Sequence, residues 1–289
     1  MSVQFLVDAP SLVYRAFFSM PKTVTDPQGR PVNAVRGFME MVTRLIIDRR
    51  PSRLVAVFDA AWRPQWRVDL YPGYKAERPE DPPELPRQFD VLAEVLDAAG
   101  IARSEADDLE ADDVLATLVE PLGGDDRATI VTGDRDLLAL VRNPHVNVLF
   151  PVRGTKEMKE FDEAAVIEAY GVPARLYSEF AIMRGDPSDG LPGVPGIGPK
   201  RASELLTRFG SIENILENLG DVPPRQKTAF EEARPYLTSV EPVVRLVTDA
   251  DFWMTEEHPP DDAALTALAE KHNLGSSATR LAQALRSER

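Results

Sequence analysis

The sequence predicts an α/β fold: a mostly parallel central sheet in the first half of the chain, followed by a helical C-terminal part. Two observations carry this. Short apolar runs alternate with helical patterns up to about residue 150, and the strand signal fades from about residue 160 onward. Strands separated by helices pair in parallel through crossover connections, which leaves the sheet covered on both faces.

Residues 3–7 form an apolar run that stops at Asp8, and residues 54–58 form a second that stops at Asp59. A third, 129–131, runs into Thr132-Gly133-Asp134. Within residues 33–48, Ala34, Val35, Phe38, Met39, Val42, Leu45 and Ile46 recur at the spacing of one helix face, and Pro51 follows the end. Residues 91–99 and 114–119 read the same way. The stretch 78–86, with Pro79, Pro82, Pro83 and Pro86, is a surface excursion between a strand and a helix. Farther on, residues 164–170, 176–184, 202–209, 212–219 and 226–233 are helical patterns broken by Gly and Pro, so this part reads as all-helical.

The chain has 289 residues, 43% hydrophobic and 28% charged, the balance of a soluble globular protein with one large domain or two smaller ones. No apolar run is long enough to cross a bilayer, and no secretory leader is evident, so a cytoplasmic protein without a membrane partner is expected. Without cysteine there is no disulfide, thiolate nucleophile or sulfur-bound metal. His145, His258 and His272 are scattered, which excludes a His-rich metal site. Any catalytic metal must therefore sit on carboxylate oxygens, which favour hard cations such as Mg²⁺ or Mn²⁺.

In an open α/β sheet, ligands bind beyond the carboxyl ends of the strands. Asp8, Asp59 and Asp134 each follow a predicted strand and meet on one rim if the strands are parallel neighbours, with Asp136 close by. Each is also an ordinary turn or helix-capping residue taken singly. Glu110-Ala111-Asp112-Asp113 opens an apolar helical pattern, where acidic charge also suits the helix dipole. Asp186 and Asp189 flank a turn after a helix. So many gathered carboxylates repel one another unless cations neutralise them, and paired divalent ions serve this purpose in phosphodiester-cleaving enzymes.

The run Gly193-Val194-Pro195-Gly196-Ile197-Gly198-Pro199-Lys200-Arg201-Ala202 enters a helical pattern. Gly196 and Gly198 allow close backbone approach, a helix N-terminus directs N–H groups at an anion, and Lys200 suits a phosphate better than the dipole. This reads as a helix-hairpin-helix element gripping a DNA backbone; an ordinary αα-hairpin is the plainer reading. Arg63, Arg67, Lys75 and Arg78 interleave with Trp62, Trp66, Tyr71 and Tyr74, a pattern that serves either stacked bases and phosphates or a solvated surface with partly buried anchors. Tyr14 and Arg15 admit the same two readings.

In order, the stretches LVDAPSLVYRAF, VFDAAWRPQWR, YPGYKAERP, LEADDVLATL, TGDRDLLALV and GDPSDGLPGVPGIGPKRA span residues 6–202. Together they resemble the bacterial 5′ nucleases of the flap endonuclease superfamily, which include the 5′–3′ exonuclease domain of DNA polymerase I. The resemblance implies a PIN-like 5′ nuclease fold: a nuclease core over residues 1–160 with a helical arch near 71–100, and a helical DNA-binding region over 161–289 with a helix-three-turn-helix hairpin at 191–210. It implies 5′–3′ exonuclease and 5′-flap endonuclease activity in replication and repair, including removal of flaps and RNA primers. Asp8, Asp59, Glu110, Asp112 and Asp113 would serve one metal, and Asp134, Asp136, Asp186 and Asp189 a second, with two or more Mg²⁺ or Mn²⁺ ions.

Lys75 and Arg78 match the pair that contacts the scissile phosphate. Tyr14 matches an aromatic stacking on substrate, and Arg15, Arg67 and Tyr74 fall in the DNA-contacting stretches. Gly196, Gly198, Lys200 and Arg201 match the hairpin holding duplex, where the family also binds a monovalent cation such as K⁺. The implied partners are flapped or branched DNA, 5′ overhangs, RNA–DNA junctions and replication or repair proteins, for a monomer working at the nucleoid. Lacking a polymerase-sized extension, the chain looks like a stand-alone enzyme.

The family's usual Ser-Asp-Asn is Ser188-Asp189-Gly190 here, Thr is common where Arg201 stands, and Ala9-Pro10 replaces the Gly often found after the first Asp. Glu-Ala-Asp-Asp also occurs twice, at 105–108 and 110–113; the second runs straight into a helix and is taken as the motif. Two other readings stay open: a compact ribonuclease with a related acidic site, and a non-catalytic DNA-end-binding module. The net charge of −14 speaks against nucleic acid only as an average. Residues 1–78 carry 12 Lys+Arg against 7 Asp+Glu, and nine acids of the chain belong to the candidate metal site.

Overall fold

The structure, a computed structural model, describes residues 3–153 and 157–287. β1 (Val3–Asp8) leads into α1 (Ala9–Ser19) and α2 (Asn33–Arg49), then β2 (Arg53–Val57), α3 (Gln65–Leu70) and α4 (Pro86–Ala99). β3 (Ala102–Glu105), α5 (Ala111–Val119) and β4 (Arg127–Val131) complete the alternation, and β5 (Val146–Arg153) and β6 (Glu157–Phe161) form an edge hairpin. The helical part comprises α6 (Glu163–Tyr170), α7 (Tyr177–Arg184), α8 (Pro199–Phe209), α9 (Ile212–Glu217) and α10 (Pro224–Val244). A short β7 (Trp253–Met254) precedes α11 (Asp262–His272) and α12 (Ser277–Ser287).

Among the described residues the strands form one seven-stranded sheet in the order β6-β5-β4-β1-β2-β3-β7. The five inner strands run parallel, whereas β6 and β7 are antiparallel at the two edges. Because side chains alternate along a strand, β1 sends Leu6 to one face and Phe5 and Val7 to the other. Leu6, Val55 and Ile130 join α5 and α7–α10 in one buried cluster. Phe5, Val7 and Val131 join α1, α2, α4 and α12 in the second. None of the helices among the described residues is long and apolar enough to cross a membrane.

Several elements depart from the local reading. The C-terminal part is not all-helical, because β7 returns to the sheet edge and pairs with β3. α11 and α12 then pack back on the first half, with Leu274, Leu281 and Leu285 in the cluster of α2 and α4. The stretch 71–100 divides in two: 71–85 is turn-rich, whereas α4 buries Val91, Leu92, Val95 and Leu96 as an ordinary core helix. α10 runs far beyond residue 233 and carries Pro235 and Pro242 inside it. Proline removes a helical hydrogen bond, yet Phe230, Leu237, Val240 and Val243 keep one face of this helix buried, and that packing overrides the local break.

Candidate active site at the carboxyl ends of the strands

β4, β1 and β2 are neighbours, so the chain leaves the sheet at Asp8, Asp59 and Asp134 on the same edge. Asp8 caps α1, accepting from Ser11 N at 3.1 Å and from Thr132 Oγ1 at 2.6 Å. Thr132 Oγ1 in turn accepts from Asp134 N at 2.8 Å, and Asp134 Oδ1 accepts from Asp136 N at 2.9 Å. Asp59 Oδ1 accepts from Ala111 N at 2.7 Å, which ties the β2 exit to the start of α5. Glu110 caps α5 in a reciprocal capping box with Asp113, whereas Asp107 and Asp108 of the first Glu-Ala-Asp-Asp are exposed on a turn.

Burial and mutual repulsion disfavour the charged forms of this group. Burial, with the neighbouring Asp59 and Asp134 adding to it, pushes the Asp8 carboxyl up to about 7. Burial raises Asp59 to about 6. Asp112, Asp134 and Asp136 are also raised, by burial first and then by the acids around them; Asp136 also shares a hydrogen bond with Asp189. Oxygen donors collected along one rim at this electrostatic cost suit a hard divalent cation, which would remove the cost.

Other acids are already neutralised by protein. Arg67 Nη1 and Nη2 donate to Asp113 at 2.9 and 2.7 Å, with Arg67 also bonded to Glu110. Asp113 further accepts from Val247 N at 2.9 Å, and Arg67 Nε donates to Val243 O at 2.9 Å. Glu110 accepts from Tyr74 Oη at 2.7 Å and from Lys75 Nζ. Arg78 Nη2 donates to Asp189 Oδ1 at 2.8 Å, and Arg184 Nη2 to Asp186 Oδ2 at 3.0 Å. As the side chains stand here, no three acidic or imidazole groups among the described residues are close enough together to hold one ion.

Three expected assignments change with this geometry. Arg67 is 2% exposed and Tyr74 6%, and here both hold buried acids instead of facing outward. Asp113 is fully buried and has its lone pairs engaged by protein, so it is a structural anchor and not an open metal ligand. Lys75, although buried, keeps its ammonium: burial alone disfavours the charge, but Glu110 holds its pKa above the ordinary lysine value. Arg78 behaves alike through Asp189. Tyr14 is half-buried, its ring edge-on to Phe89 at 6.2 Å between centroids and its hydroxyl on Asp81 of the Pro-rich excursion. Arg15 is half-buried on the same helix.

The Gly-rich hairpin joins α7 to α8. Gly196 has φ of 77°, Gly198 caps α8, and a Cβ on either would meet nothing within 4 Å, so the turn is open to a ligand backbone. The Lys200 side chain is 90% exposed. Arg201 Nη1 donates to Gly196 O at 2.7 Å, so one carbonyl of the hairpin is already engaged by a cation of the chain itself. A guanidinium on this carbonyl would compete with the K⁺ that the resemblance implies.

Sequence reading passed over Thr132, which bridges Asp8 and the Asp134 amide, and named Arg63 only within the basic and aromatic set, whereas it holds the backbone of the 71–78 segment. Arg63 Nε donates to Tyr74 O at 2.6 Å and Nη2 to Pro72 O at 2.9 Å. Thr132 is legible in hindsight as a hydroxyl directly after a strand. No local signal gave Arg63 this backbone-holding role.

An acid-rimmed parallel sheet, with two basic side chains over the rim and a Gly-rich helical hairpin beside it, defines a hydrolytic phosphodiesterase of the 5′ nuclease class. The chain belongs to the 5′-3′ exonuclease family: its N-terminal resolvase-like domain matches residues 3–171 and its C-terminal SAM fold residues 172–266. It is 46% identical over 296 residues to a 5′-3′ exonuclease of Streptomyces coelicolor, covering 96% of this chain and 98% of that one. A 5′-3′ exonuclease of Mycobacterium tuberculosis is 42% identical, with 97% and 96% covered. DNA polymerase I of Mycobacterium bovis is 41% identical over 75% of this chain and 24% of its own length. In fold the chain is similar to T5 5′-exonuclease with bound zinc, at a TM-score of 0.67 and 18% identity, covering 99% of this chain and 100% of that one. The catalytic core of Rad2 with a DNA substrate matches at a TM-score of 0.65 and 19% identity, covering 100% and 92%.

Proposed function

We propose that this 5′ nuclease is a divalent-metal-dependent, structure-specific enzyme that cuts DNA at 5′ flaps and overhangs and removes RNA primers at RNA–DNA junctions. We take Mg²⁺ or Mn²⁺, two or more ions, as its cofactor, and a monomer at the cytoplasmic nucleoid, alongside replication or repair proteins, as its working form. The observation that carries the reading is the row of strand-end carboxylates with raised pKa values, capped by Lys75 and Arg78 from a single segment. T5 5′-exonuclease solved with divalent ions and Rad2 solved with DNA support the metal and the substrate class.

Asp8, Asp59, Asp112, Asp134 and Asp136 would hold the ions, with Glu110, Asp186 and Asp189 joining once their basic partners move to substrate. Bound metal lowers the pKa of an attacking water and offsets charge on the phosphate. Lys75 and Arg78 then donate to phosphate oxygens, where charge-assisted hydrogen bonds strengthen as negative charge develops. Lys200 and the N–H groups at the start of α8 hold the duplex backbone without reading bases.

The test is a cleavage panel of 5′-flap, overhang, nicked and RNA-primed substrates in each metal. Asp134→Ala and Asp186→Ala should nearly abolish cutting while keeping duplex binding in Ca²⁺. Normal turnover in either variant would sink the assignment of those residues.

A further inference from the structure

Gly190 follows Asp189 at the end of the turn after α7, and the structure gives it a task. Its φ is 73°, and a Cβ there would lie 2.0 Å from Gly73 O, inside any tolerable contact. The close approach occurs because the 71–78 segment lies directly on the 187–190 turn. Lys75 N donates to Asp189 O at 3.1 Å, Tyr71 Oη to Gly190 O at 3.1 Å, and Arg78 Nε to Ser188 O at 3.0 Å. Arg63 holds the same backbone from the other side through Tyr74 O and Pro72 O. Lys75 itself sits at φ 52°, a conformation that a side-chain-bearing residue keeps only when its surroundings impose it.

We propose that Gly190 is a positioning residue: by lacking a side chain it lets the Tyr71–Arg78 segment dock on Asp189, so that Lys75 and Arg78 stand over the carboxylate rim before nucleic acid arrives. The effect on catalysis rests on the nuclease reading; the docking itself does not. A side chain at this point pushes the Gly73 carbonyl away and carries Lys75 with it. Reacting groups misplaced by about 1 Å lose on the order of 10²-fold in rate. Asparagine tolerates positive φ but still brings a Cβ, so it should act like alanine here.

The experiment compares Gly190→Ala, Gly190→Asn and Tyr71→Phe with the wild type by hydrogen exchange at the Lys75 amide and by single-turnover cleavage of a 5′-flap duplex. Gly29→Ala is the control: Gly29 has φ of 79° but nothing within 4 Å of a Cβ, so it carries the backbone strain without the collision. Both Gly190 variants should lose Lys75 amide protection by at least about tenfold. Their cleavage should slow by about 10²-fold, with duplex affinity in Ca²⁺ retained. Tyr71→Phe, which introduces no collision, should raise Lys75 exchange by a smaller factor, and Gly29→Ala should change neither readout. Gly190→Ala added to Lys75→Ala/Arg78→Ala should slow cleavage no further than Lys75→Ala/Arg78→Ala does alone. Wild-type exchange at Lys75 in both Gly190 variants, full cleavage by Gly190→Asn, or an additional loss from Gly190→Ala on the Lys75→Ala/Arg78→Ala background would each overturn the proposal. If the wild type cuts none of the substrates, the nuclease reading fails, while the exchange data still decide the docking.

Discussion

Arg67 grips Asp113 with two parallel hydrogen bonds, Nη1 at 2.9 Å and Nη2 at 2.7 Å, in a pair that is 2% and 0% exposed. The pair joins α3 to α5 and, through Val243 O and Val247 N, to the end of α10. It fastens the helical region to the sheet behind the active site. Replacing Arg67 by Ala leaves buried carboxylate unpaired and should cost about 3–5 kcal/mol of stability, read as a lower urea midpoint. Arg67→Lys keeps the charge but loses the fork and should fall between the two. An unchanged midpoint in Arg67→Ala would refute the anchoring role.

Lys75→Ala and Arg78→Ala should each slow single-turnover cleavage on the order of 10²–10³-fold, the usual scale for losing a donor to developing charge. Duplex affinity in Ca²⁺ should stay within about twofold, since neither side chain belongs to the hairpin that holds the backbone. Loss of affinity without loss of rate at saturation would move these residues from catalysis to binding.

The pH dependence follows from the raised carboxylates. Asp8 near 7 and Asp59 near 6 bind protons more tightly in the folded chain than at their ordinary 3.8. The folded state therefore holds more protons, and these two groups lower stability as pH rises from about 4 to about 7. In chelator, the melting temperature should fall between about pH 5 and about pH 8. Added Mg²⁺ or Ca²⁺ should raise it more at the upper pH, where the carboxylates are charged and bind metal without losing protons. A metal shift that is equal at both pH values would contradict the assignment.

Lys200 is 90% exposed at the start of α8 and pairs only loosely with Glu204 at 4.0 Å. Lys200→Ala should weaken duplex binding for every sequence alike and lower the slope of log affinity against log salt by about 1. Cleavage of saturating substrate should not change.

Arg201 takes the Gly196 carbonyl, so exchanging K⁺ for Li⁺ at constant ionic strength should leave duplex affinity unaltered. Arg201→Ala frees that carbonyl while removing a positive charge, and its affinity should fall in both salts. A K⁺ requirement in the wild type, seen by titration in the two salts, would refute the substitution of guanidinium for ion.

Much of the site was legible because its signals are local. An apolar run ending on Asp marks a strand exit, and Gly196, Gly198 and Lys200 at a helix start mark an anion-binding turn. The same local logic separated Glu110, which caps α5, from the exposed Asp107 and Asp108. It failed where burial came from distant chain. β7 is two residues long and exists because β3 offers an edge; α10 continues through two prolines because its apolar face is covered. The aromatic and basic stretch after Asp59 read either as a DNA-contacting surface or as a solvated one with partly buried anchors, and it divides into residues over the rim and residues beneath it.

By itself the sequence determined the class of fold, the set of acids available at the strand ends and the Gly-rich hairpin, since each follows from periodicity or from what stands directly after an element. Only the tertiary structure decided which of those acids are free for a cation and which are neutralised within the protein. Arg67 and Asp113 are 46 residues apart, Arg78 and Asp189 are 111, and Val247 reaches Asp113 across 134. A buried charge takes its partner from whatever the fold brings within hydrogen-bonding distance, and that distance in space is not written in the spacing along the chain.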